Sequence, residues 1–178
     1  MHTKVPLHQA RLVVDQALRP NPSLDGEASR FTAEYFAPAQ FVAVHWRHGD
    51  YVAYKLLMPL EKLIERVHQA LRGLKCRVGD EADAAALTPC KVFLMTNCRN
   101  ASALAEFSAA MEPAGGVVRY EPTQPFHATE GGRLVIEQSI AARADAFVPS
   151  QRSAVSEFIE TLRRQRKRAS KPSAKDEI

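Results

Sequence analysis

Apolar positions in this chain alternate between short unbroken runs and longer stretches with a helical period. Phe41-Val42-Ala43-Val44 is an unbroken run of the kind found in strands buried on both faces. Lys91 to Thr96 is a second such segment, Val117 to Tyr120 a third and Ala146 to Val148 a short fourth. Between them, Leu60, Leu63, Ile64, Val67, Leu71 and Leu74 fall on one helical face, with Pro59 suited to the first helical position. Asn100 to Met111 carries Leu104, Phe107 and Met111 on one side, and Leu134 to Ala144 and Ser153 to Arg164 read as two further helices. Strands alternating with helices predict an α/β fold, a Rossmann-like parallel sheet with helices on both faces, because parallel strands need right-handed crossovers.

The ends of the chain read differently. Gln9 to Leu18 fits a helix that Arg19-Pro20-Asn21-Pro22 stops, and a polar stretch then runs to Pro38. From Gln165 onwards too few apolar residues remain to offset the entropy of ordering, so disorder is expected. The implied organisation is an N-terminal helix and polar linker over 1–38, a folded domain over 39–164 and a basic tail over 165–178. Gly115-Gly116 and Gly131-Gly132 lack the spacing of a dinucleotide fingerprint and read as turns.

Composition narrows the function classes. With 46% hydrophobic residues in 178, the chain can bury one sizeable core. No apolar run approaches the ~18 residues of a membrane-spanning helix, and Met1 to Leu7 lacks the apolar core of a secretory signal. A chain that truly starts at Met1 would therefore stay in the cytoplasm. The net charge of +4 belongs to the tail: without the residues from Arg163 onwards the balance is −1, so no nucleic-acid partner is expected. The run Arg163-Arg164-Gln165-Arg166-Lys167-Arg168 suits a solvated helix end, with a nuclear or anionic-surface signal as the sharper reading. For the three cysteines, a Cys76–Cys90 bridge closing the Gly79 to Pro89 loop and free buried thiols both fit the spacing, and no zinc pattern is present.

Candidate chemistry follows from the fold class. Ligands of open parallel sheets bind beyond the carboxyl ends of the strands, where helix N-termini converge. That rule selects Arg47 after the first strand, Asn97 after the second, and Ser150 to Ser153 after the fourth, at the mouth of the last helix. A guanidinium beside free helix amides suits a diphosphate and stabilises a nucleoside diphosphate as it departs. The plain alternative is an ion pair between Arg47 and Asp50, three residues on. His48 is of the residue type that can transfer a proton, but loop histidines are commonly just solvated. Trp46 could stack on a base or simply pack in the core. His8, His68 and His127 show no ligand spacing.

Val42-Ala43-Val44-His45-Trp46-Arg47-His48-Gly49-Asp50-Tyr51, the first of three blocks between Val42 and Ser156, resembles the strand and His-x-Arg motif of the GDP-fucose protein O-fucosyltransferases. Lys91 to Asn97 is similar to its strand ending in Ala-Thr-Asp. Ile136-Glu137-Gln138, Arg143 to Val148 and Ser153-Ala154-Val155-Ser156 resemble its Asp-Gln helix, following strand and Ser-Thr-Phe-Ser turn.

The resemblance implies the C-terminal, donor-binding half of a GT-B glycosyltransferase, which uses GDP-fucose with inversion and needs no metal or other cofactor. It implies a donor site at His45, Trp46, Arg47, Asp50, Asn97, Glu137, Ser153, Ala154 and Val155, with Arg47 as the catalytic partner of the diphosphate. The acceptor is a serine or threonine hydroxyl of a protein. An N-terminal GT-B domain, absent from this sequence, would act in cis or trans. The family's residence in the endoplasmic reticulum is matched by the Lys175-Asp176-Glu177-Ile178 ending, one residue away from a retrieval signal. Asn97, Glu137, Ala154 and Val155 replace the family's Asp, Asp, Thr and Phe, so a non-catalytic module that keeps only the donor-domain fold is the alternative.

Overall fold

The computed structural model describes residues 21–79 and 87–170. In chain order these form α1 (Pro22–Tyr35), β1 (Phe41–Trp46), the single turn α2 (Asp50–Ala53), α3 (Leu60–Gly73), β2 (Lys91–Thr96) and α4 (Ala101–Met111). A 3-10 turn (Glu112–Ala114), β3 (Val117–Val118), α5 (Glu130–Arg143), β4 (Ala146–Val148) and α6 (Ala154–Ala169) follow. The strands make one sheet in the order β3-β2-β1-β4, and every pairing is parallel. All six residues of β1 are buried, as its unbroken apolar run requires of a central strand.

Side-chain alternation along the strands divides the interior into two cores. Val42, Val44 and Trp46 of β1 and Val92 and Leu94 of β2 point to one face, where Leu63, Val67 and Leu71 of α3 and Phe107 and Met111 of α4 cover them. Phe41, Ala43, Phe93 and Met95 point to the other, against α1, α5 and α6 through Phe31, Ile136, Ile140 and Ile159. The expected α/β sheet with helices on both faces is therefore what forms.

Four local readings differ from expectation. The polar stretch before Pro38 is not a linker: it holds α1, started by Asn21, whose side chain accepts the Ser23 N–H, with Pro22 in the first turn. Leu24, Ala28 and Phe31 form a stripe too narrow to stand out in the sequence, and the buried Glu27 beside them is held by Arg30 and the Tyr120 hydroxyl. Gly131-Gly132 is not a turn but the first turn of α5, capped by Thr129, which accepts the Gly132 N–H. A Cβ on Gly132 would lie 2.6 Å from the Phe126 carbonyl oxygen, so only glycine lets the helix start there. The third strand ends at Val118, and Tyr120 turns down into the second core.

The basic tail is likewise ordered for one further turn, since α6 runs to Ala169 with Arg166, Lys167 and Arg168 at its negative dipole end. Of the two cysteine readings the bridge holds for one pair: Cys76 and Cys90 are disulfide-bonded, while Cys98 is a free buried thiol. No helix among the described residues is long and apolar enough to cross a membrane. The Gln9 to Leu18 helix and the Lys175 to Ile178 ending lie outside the described residues.

Candidate functional site

The carboxyl ends of β1, β2 and β4 meet along one edge of the sheet, where Arg47, Asn97 and Ser150 follow in the next loops. Hydrogen bonds stitch these loops together. The His48 N–H donates to Asn97 Oδ1 at 2.7 Å, and Thr96 Oγ1 donates to the Trp46 carbonyl at 2.6 Å while accepting from the Cys98 N–H at 3.0 Å. On the other side the Arg47 N–H donates to Ser150 Oγ at 2.7 Å, which donates in turn to the His45 carbonyl at 2.7 Å. The Tyr51 hydroxyl reaches the Arg152 carbonyl at 2.8 Å and closes α2 onto the β4–α6 turn. Gly49 has φ +46, and a Cβ there would stand 2.9 Å from Asn97 Nδ2.

His45 is buried and faces α6, with Nδ1 2.8 Å from Ser156 Oγ. Burial, with the positive charge of Arg47 next, pushes its pKa down to about 4, so the ring is neutral near pH 7. Arg47 forms two 3.0 Å hydrogen bonds to Asp50 and lies over the Tyr51 ring at 5.4 Å. The pair sits at the surface, and its hydrogen bonding raises the pKa of Arg47 and lowers that of Asp50. Ser153 is buried at the N-cap of α6 without a side-chain cap bond; Ala154 is exposed and Val155 half-buried. The first-turn amides of α6 therefore lack intrahelical acceptors. Together, a surface guanidinium and a helix N-terminus, held in place by the loop hydrogen bonds, make an edge suited to a phosphate-bearing ligand.

The side chains of Trp46 and Glu137, both predicted site residues, take no part in these hydrogen bonds. Trp46 is 2% exposed and packs on Phe107 in the core opposite His45, and its indole N–H has no partner among the described residues. Glu137 is buried on α5 and accepts the Arg133 Nε–H at 3.0 Å; burial pushes its carboxyl pKa up while Arg133 pulls it down. Sequence reasoning missed the parts of Ser156, Thr96 and Tyr51 in holding the edge. The available signal was the spacing Ser150, Ser153, Ser156, which gathers three serines at one helix entrance, all buried. Among the described residues no His, Cys, Asp or Glu group gathers as a metal site would.

The domain is a parallel α/β sheet with its candidate site at the carboxyl ends of the strands, the usual place for a ligand in such folds. No protein-family model and no curated protein matches the sequence. Solved structures do match in fold. The chain is similar to POFUT1 in complex with GDP, with TM-score 0.60 and 17% identity over 84% of this chain and 46% of that one. It is similar to POFUT1 in complex with GDP-fucose, with TM-score 0.60 and 17% identity over 84% and 45%. NodZ α-1,6-fucosyltransferase soaked with GDP-fucose matches with TM-score 0.54 and 21% identity over 86% and 46%. The resemblance read from the three sequence blocks is thus met in the fold, and the chain spans under half the length of these structures.

Proposed function

We propose that this chain is the donor-binding half of a glycosyltransferase that moves fucose from GDP-fucose to a serine or threonine hydroxyl of a protein, with inversion and without a metal. The observation that carries the reading is the gathering of Arg47, the Asn97-anchored loop and the α6 N-terminus at one sheet edge, in a fold similar to that of fucosyltransferases solved with GDP-fucose. In this reading Arg47 exchanges Asp50 for the diphosphate, and the α6 amides share the charge that grows on GDP as the glycosidic bond breaks. The acceptor hydroxyl attacks the opposite face of the sugar and loses its proton to a base on a second domain, in cis or trans. Asp50 holds the guanidinium ready until the donor arrives. Residence in the endoplasmic reticulum belongs to the same reading and rests on the resemblance read from the three sequence blocks.

Calorimetric titration with GDP tests it. Heat that saturates in the wild type and vanishes in Arg47→Ala is expected; no heat at millimolar GDP in a folded sample overturns the donor site. A second reading is favoured by the way two replaced positions are used. Asn97 Oδ1 is taken by a backbone amide and Glu137 by Arg133, as they would be in a domain that kept its fold and lost its donor. Fucose transfer by this chain combined with a second domain would eliminate that reading.

A further inference from the structure

Between the end of β1 and the entrance of α6 lie two serine hydroxyls whose hydrogen bonds can be assigned a direction. Ser150 Oγ accepts the Arg47 N–H and donates to the His45 carbonyl. Ser156 Oγ accepts the Ser150 N–H at 3.1 Å and has its own hydrogen left for His45 Nδ1 at 2.8 Å. Were Nδ1 protonated instead, Ser156 would accept twice and its hydroxyl hydrogen would be stranded, in a residue only 2% exposed. Satisfying every group therefore makes Nδ1 the acceptor and leaves the proton of the neutral ring on Nε2. Nε2 has no hydrogen bond among the described residues, and it is not one of the fully buried unpartnered atoms.

We infer that Ser156 is a positioning residue that fixes the tautomer of His45, so that the ring offers Nε2–H as a hydrogen-bond donor to an oxygen of the bound nucleotide. This rests on the donor-site reading and extends it. The two serines act as a matched pair. Ser150 sets the backbone of His45 and Arg47 from the β4–α6 turn, and Ser156 sets the ring from the first turn of α6. A neutral donor suits this place, because it adds a directed contact beside Arg47 without a second desolvated charge.

Ring-nitrogen NMR of the full chain at pH 7, with His45 assigned through His45→Gln, reads the tautomer directly. The wild type is expected to carry the proton on Nε2, and the Nε2 resonance is expected to move on adding GDP. Ser156→Ala is expected to give a mixture of tautomers and to weaken GDP binding about tenfold, and Ser156→Thr to restore both. A wild-type ring protonated on Nδ1 overturns the inference, and so does a folded Ser156→Ala protein with an unchanged tautomer or unchanged GDP affinity. Should Ser156→Ala fail to fold, the wild-type tautomer and the Thr variant still decide. A ring protonated on Nε2 in a wild type that binds no GDP upholds the serine relay and removes the donor-site reading, so the two failures are distinct.

Discussion

At the scale of single residues, His45 joins stability to pH. Its folded pKa of about 4 lies below the ordinary 6.5, so between those values the unfolded chain binds a proton that the folded one refuses. Stability is whole above pH 6.5 and falls as pH drops toward 4, by on the order of 3 kcal/mol. Urea unfolding at pH 7, 5.5 and 4.5 should show the loss, and His45→Gln should remove this part of the slope. Gly49 carries a different constraint. With φ +46 and Asn97 Nδ2 at 2.9 Å from a would-be Cβ, Gly49→Ala should destabilise by about 1–2 kcal/mol, read as a lower denaturation midpoint. Asn97 cannot simply swing aside, because its Oδ1 holds the His48 amide.

Much of the site was legible from residue order: Arg47, Asn97 and Ser153 each follow a strand whose apolar run is plain in the sequence. What stayed hidden was bonding that depends on which face a side chain takes. His45 and Trp46 are neighbours in sequence but lie in opposite cores, so only one of them reaches the α6 entrance. Nor does a sequence tell whether a serine at a helix entrance caps its own helix or, like Ser156, bonds across to another strand.

Among elements, the helices that sequence found well were those with a wide apolar stripe, such as α3, where Leu63, Val67 and Leu71 are all essentially buried. α1 escaped because three apolar positions sit among polar ones, and the buried Glu27 is made acceptable only by tertiary partners, Arg30 and Tyr120. α6 was cut short because its last turn gains little from burial and more from cations at its carboxyl end. The Cys76–Cys90 bond joins the turn after α3 to the residue before β2. Closing a loop of this length contributes about 3 kcal/mol, so reductant should lower the melting temperature of the wild type and leave that of Cys76→Ser/Cys90→Ser unchanged.

For the whole molecule, two cores share one sheet, and the edge that carries the candidate site is built from loops belonging to both. A ligand seated there touches the connections of β1, β2 and β4 at once and should stabilise the domain as a unit. Thermal melting with GDP well above its dissociation constant should rise by several degrees in the wild type and not in Arg47→Ala. A rise in both proteins would move the nucleotide elsewhere.

The strand order has a bearing on self-association. Among the described residues the long strands β1 and β2 are interior, and the sheet ends on β3 and β4, of two and three residues. Neither margin offers another chain a useful length of free backbone amides and carbonyls. Stacking into fibrils through the sheet would first require a margin to be pulled away, so partially unfolded molecules, rather than native ones, are the species from which aggregation should begin.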